Sequence, residues 1–157
     1  MDLIGRFALQ RLSPFNPSAP HRSRLLLDGD TTPSVVYGES IKHQFACGKL
    51  SLIITHYDYF DGVSHWFYLV GPTGQLLDAA STPDYFGFLD RLDVVSSTQI
   101  GFSFHGTNDR WSVSVDTGGF WSLDWSHVAR RLNRFICSRR FLTFHCVYGP
   151  PWKGPAR

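Results

Sequence analysis

Leu50-Ser51-Leu52-Ile53-Ile54-Thr55-His56-Tyr57-Asp58-Tyr59-Phe60-Asp61-Gly62-Val63-Ser64-His65-Trp66-Phe67-Tyr68-Leu69-Val70 carries two apolar runs on either side of a single turn signal. Leu50 to Asp58 is rich in β-branched and aromatic residues, Asp61-Gly62 supplies a tight turn, and His65 to Val70 is a second apolar run. That is the signature of a β-hairpin. Gly71-Pro72-Thr73-Gly74 is a further turn signal before Gln75 to Ala79, and Ile41 to Ala46 precedes through Cys47-Gly48-Lys49. The reading is an antiparallel meander of four strands.

Further along, Gln99 to His105 and Arg110 to Asp116 predict another hairpin. Ile100, Phe102 and Phe104 alternate, as do Trp111, Val113 and Val115, with Ser103, His105, Ser112, Ser114 and Asp116 between them. Period-two alternation of this kind predicts a sheet with one wet face. Phe141 to Tyr148 completes the set as a more fully apolar strand. Two segments read as helices. Thr82-Pro83-Asp84 offers an N-cap followed by proline at the first helical position, leading into Tyr85 to Leu92. Asp124 caps a second helix over Trp125 to Cys137, whose Val128, Leu132, Phe135 and Ile136 lie opposite His127, Arg130, Arg131 and Arg134. The first twelve residues, with Leu3, Ile4, Phe7, Leu9 and Leu12, read as a short amphipathic helix. The expected fold is therefore α+β, an antiparallel sheet with two helices packed on one face. The expected domain plan is an N-terminal arm and Pro-rich linker over 1–23, one domain over 24–148 and a C-terminal tail over 149–157.

Composition bounds the function. In 157 residues, hydrophobic side chains make up 43%, aromatics 15% and charged residues only 18%, which excludes a disordered chain. No apolar run approaches the roughly 20 residues of a membrane helix. Asp2, Arg6 and Arg11 interrupt the N-terminal apolar residues, so no secretory signal is expected. Cys47, Cys137 and Cys146 are odd in number and lack metal-type spacing, which predicts free thiols in a reducing cytoplasm.

The formal charge of +2 conceals a segregated chain. Residues 1–27 carry +3, residues 28–124 carry −8 and residues 125–157 carry +7. There are 12 Asp to a single Glu, Glu39. Such segregation suits complementary contact with a macromolecule. The acids Asp58, Asp61, Asp78, Asp84, Asp90 and Asp93 cluster around the meander turns and the first expected helix. They could cover a basic cleft on a partner. Tyr57, Asp58, Tyr59, Asp61 and Trp66, with Asp84 and Asp90, are the expected contact residues, because Tyr and Trp beside charged groups anchor interfaces. Arg130, Arg131 and Arg134 form an alternative face for phosphates.

Chemistry-bearing patterns are few. His56 and Asp58 share a strand face, with His65 across the Asp61-Gly62 turn, so a His/His/Asp set could converge there. No metal-binding motif accompanies them, and neither a metal nor a cofactor is assigned. Cys47 with His43 is the one pairing worth naming for a nucleophile. G-x-S-x-G, Walker and G-x-G-x-x-G motifs are absent from the chain, so no enzymatic activity is expected.

The turn-rich meander Tyr57-Asp58-Tyr59-Phe60-Asp61-Gly62 leading to Trp66-Phe67-Tyr68-Leu69, in a small domain rich in aromatics and acids, resembles in overall character the immunity proteins of bacterial toxin systems. That resemblance implies a cytoplasmic bacterial protein that binds one cognate toxin, such as a basic nuclease domain, and neutralises it. A nucleic-acid-binding module using the arginine helix is the alternative, and a small hydrolase the third reading. An uncovered edge strand would also permit a homodimer.

Overall fold

The computed structural model describes residues 1–12, 14, 19–60, 62–82, 87–123 and 137–149. These residues form strands β1 (Asp2–Leu3), β2 (Phe7–Arg11), β3 (Arg22–Leu27), β4 (Asp30–Tyr37), β5 (Ser40–Cys47) and β6 (Leu50–Tyr59). They continue as β7 (Gly62–Val70), β8 (Leu76–Ser81), β9 (Leu89–Ser96), β10 (Gln99–Phe104), β11 (Arg110–Leu123) and β12 (Cys137–Val147). The strands make three antiparallel sheets, ordered β1-β5-β6-β7-β8, β2-β3-β4 and β12-β11-β10-β9.

The five-stranded sheet is the middle layer. On one face Phe45, Leu52, Ile54, Phe67 and Leu69 pack against Ile100, Phe102, Trp111, Val113, Leu142 and Phe144 of the four-stranded sheet. On the other, Ile53, Tyr68 and Val70 meet Phe7, Leu25 and Val36 of the three-stranded sheet. Coverage on both faces explains why Leu52–Ile54 and Trp66–Val70 read as unbroken apolar runs. A strand with two buried faces has no polar side to alternate with. β10 and β11 have one such face, and their alternation is correspondingly clean, with Ile100, Phe102, Trp111, Val113 and Val115 buried.

Two polar side chains sew the layers together by standing in for a strand neighbour. The Gln44 amide accepts from Phe7 N–H and donates to Phe7 C=O, each at 2.8 Å, tying β5 to β2. Asp78 in β8 accepts from the N–H groups of Phe141 (2.8 Å) and Leu142 (2.9 Å) in β12. Arg140 faces the same carboxylate at 3.4 Å.

The α+β expectation is overturned: among the described residues there is no helix, and the fold is all-β. Residues 83–86 of the first expected helix lie outside the described residues, and from Gly87 onward the helix fails, the φ of +147° at Gly87 leaving the helical region. Leu89-Asp90-Arg91-Leu92 is instead the start of β9, where Val94 and Val95 favour a strand and pairing with β10 overrides local propensity. Thr82, just past the end of β8, accepts from His65 N–H through its Oγ1 at 2.9 Å. The N-terminal segment is β1, paired with β5, and β2, paired with β3. Phe7 and Leu9 satisfy a two-residue period as well as a helical one. Of the second expected helix, residues 125–136, with Arg130, Arg131 and Arg134, lie outside the described residues. Cys137 opens β12. Among the described residues no helix is long and apolar enough to cross a membrane.

Candidate functional site

The antiparallel register carries the β4–β5 turn, the β6–β7 turn, the start of β9 and the termini of β10, β11 and β12 to one end of the molecule. His56 pairs with His65, the His65 ring lies 5.8 Å from Phe104, and Phe104 pairs with Leu89. Arg110 pairs with Val147 at the same end. Of the exposed aromatic residues, Tyr37, Phe60, Phe88 and Tyr148 lie here, and Trp121 lies at the other end. Phe60 is fully exposed at the tip of the β6–β7 hairpin. The acids Glu39 and Asp58 flank it on the central sheet, and Asp90 stands exposed on β9, 4.0 Å from Arg91. Arg22 and Arg110 are exposed on the two outer sheets.

The turn that presents Glu39 is tightly specified. Thr55 Oγ1 donates to Tyr37 C=O at 2.6 Å, Tyr37 N–H donates to the Tyr68 hydroxyl at 2.8 Å, and Glu39 N–H donates to His56 C=O at 2.8 Å. Burial pushes the Tyr68 phenol well above its ordinary pKa, so it stays a neutral hydroxyl. Gly38 sits at φ +124°, with Thr55 and the His56 carbonyl where a Cβ would go. Beside this turn, His56 Nε2 lies 3.9 Å from Asp58 Oδ1, and its Nδ1 lies 3.3 Å from Ser40 Oγ. One ligand-type atom from each of Glu39, His56 and Asp58 falls within 4.8 Å of the others.

The expected His/His/Asp set is thus assembled differently. His65 is 2% exposed and stacks against His56 at 6.4 Å, but its Nε2 donates to Gly87 C=O at 2.9 Å. Burial pushes its pKa down to about 4, so it is neutral at pH 7. Glu39 takes the third position. No spacing rule pointed to it, because the β5–β6 register brings it to His56. Its being the one glutamate among twelve aspartates was the visible signal.

The expected contact residues divide between the faces. Tyr57 is buried, its ring edge-on to His21 at 5.3 Å and to Tyr59 at 4.8 Å. Trp66 is half-buried against Tyr37 at 6.3 Å. Both sit on the face toward the three-stranded sheet, while Asp58 lies on the opposite face of β6 and is exposed. Asp90 belongs to the same end, and Asp61 and Asp84 lie outside the described residues. The acids do not form one patch: Asp78 is buried, and Asp28, beside Arg6, is at the far end. Of the basic residues after 124, Arg139 is exposed over the Phe141 ring at 5.2 Å, whereas Arg140 is buried with Asp78. Burial raises the Cys47 thiol pKa and lowers that of His43. A nucleophilic cysteine requires the reverse shift.

Comparison of the chain with protein-family models, with curated proteins and with solved structures gives no match.

Proposed function

We propose that the chain is a non-enzymatic protein-binding domain, an immunity protein that neutralises a cognate toxin by direct contact through the end carrying Phe60. The observation that carries this reading is Phe60 itself. A phenylalanine held fully in water at the tip of a hairpin whose apolar strand residues are largely buried has no folding benefit, and desolvation by a partner would supply one. Glu39 and Asp58 beside it favour a partner that offers an apolar pocket rimmed by basic residues, as a nuclease toxin would. Tyr59, Phe88 and Asp90 extend the same surface, while Tyr57 and Trp66 support it from within.

Co-expression with the toxin domain encoded beside the gene tests the class. Wild-type chain restores growth. Phe60→Ala combined with Asp58→Lys abolishes rescue at unchanged protein level, and Trp121→Ala at the far end leaves it intact. Rescue that survives the double change, or a neighbouring gene that encodes no toxin, refutes the reading.

A further inference from the structure

We propose that Glu39, His56 and Asp58 form a binding site for one Zn2+ ion, which ties the β4–β5 turn to the end of β6 and leaves a coordination position open at the molecular surface.

The three side chains come from different points of the chain but are brought to one place by main-chain pairing. Ser40 stands directly opposite His56 in the β5–β6 ladder, and Glu39 is bonded through its N–H to the His56 carbonyl. His56 and Asp58, two apart on β6, project from the same face. Tetrahedral zinc, with bonds of roughly 2.0–2.2 Å, holds its ligand atoms roughly 3.3 Å apart. The 3.9 Å between His56 Nε2 and Asp58 Oδ1 is too long for a hydrogen bond and close to that separation. Glu39 is exposed, and its longer side chain can close the remaining gap without moving the backbone.

The surroundings fit a ligating histidine. Ser40 Oγ engages Nδ1, which leaves Nε2 facing Asp58. An oriented second nitrogen is the usual companion of a metal-bound imidazole. Independently, His65, 2% exposed and stacked on His56, keeps Nδ1 without a hydrogen-bond partner among the described residues. Its Nε2 is committed to Gly87 C=O, so Nδ1 carries a lone pair. Two carboxylates and the His56 imidazole thus gather at one end of β6, with the His65 ring stacked behind His56. No lysine or arginine lies within ion-pair distance of them among the described residues. Lys42 acts on His65 through space, and a divalent cation adds the further positive charge that two carboxylates call for. One imidazole and two carboxylates suit zinc better than magnesium or calcium, which prefer oxygen ligands throughout.

The test is titration of the tag-free, chelator-dialysed full chain with ZnCl2 by calorimetry, together with visible absorption of the Co2+-substituted protein. The expected result is one equivalent of zinc bound and Co2+ ligand-field bands of a four-coordinate site. Glu39→Gln and His56→Ala should each weaken zinc at least tenfold with unchanged circular dichroism, while His145→Ala, on β12, binds as wild type. Absence of zinc binding, or binding undiminished in both Glu39→Gln and His56→Ala, overturns the proposal. Because the readout requires no toxin, it stands or falls separately from the immunity reading.

Discussion

Asp78 accepts two main-chain N–H groups of β12 and faces Arg140 while remaining almost wholly out of water. From the chain alone it was one acid among many in a negative central segment, because nothing local distinguishes a carboxylate that bridges two sheets from a solvated one. Asp78→Ala removes the contacts to Phe141, Leu142 and Arg140 together with the bond from Ala79 N–H, and leaves the Arg140 charge buried. Arg140 Nε and Nη2 already have no partner among the described residues, so no reserve contact takes over. A loss of about 3–5 kcal/mol is expected, read from urea unfolding; a loss below about 1 kcal/mol would show that the pair does not join the layers. Cys47 offers a second residue-scale check. Its raised thiol pKa and burial predict that iodoacetamide at pH 8 leaves the Cys47 peptide unmodified in the folded protein and alkylates it after denaturation. Rapid native labelling, resolved by peptide mass spectrometry, would contradict the packing described.

At the scale of elements, the meander, the β10–β11 hairpin and β12 were legible, while β2 and β9 were not. Cys47-Gly48-Lys49 and Gly71–Gly74 carry turn chemistry that does not depend on what packs above them. β9 had no such marker. Leu89 and Leu92 sit three apart as in a helix, and only the pairing of Phe104 with Leu89 and of Ile100 with Val94 makes the segment extended. β2 was obscured because the Pro-rich stretch between it and β3 carries no hairpin turn signal and the Gln44 bridge lies far away in sequence. Gln44→Ala leaves Phe7 N–H and C=O without those partners and should cost about 1–3 kcal/mol. The loss should concentrate in faster hydrogen exchange at Phe7, with exchange of the β6–β7 ladder unchanged. Gly38 is the hinge of the other end. A Cβ there would lie 2.7 Å from Thr55 at φ +124°. Gly38→Ala is therefore expected to cost about 1–3 kcal/mol and to displace Glu39 from His56. Thermal unfolding checks the first effect and zinc titration the second.

Across the whole molecule, one sheet serves two cores. Phe67, wholly buried, stacks on Phe102 at 5.3 Å and meets Phe144 edge-on at 5.3 Å, so truncating it should open the larger core. The unbroken apolar runs of β6 and β7 contained the information that both faces are covered, but which segments cover them depends on long-range pairing that periodicity does not encode. The charge segregation of the chain is likewise redistributed by folding. Asp78 goes inside and Asp28 to the far end, leaving Glu39, Asp58 and Asp90 with the exposed aromatics. The expected contact segment His56–Asp61 reaches that end, yet within it Tyr57 turned inward and Phe60 outward, a choice set by strand parity and hairpin geometry.

The central claim, that this aromatic and acidic end is the surface for a protein partner, is tested most directly by the equilibrium affinity of the chain for the purified toxin domain encoded beside its gene. Phe60→Ala and Asp58→Lys should each raise Kd at least tenfold, about 1.4 kcal/mol, at unchanged melting temperature, while Trp121→Ala and Val95→Ala at the opposite end leave Kd within twofold. Equal affinity for all four variants, or weakening confined to the opposite end, would contradict it.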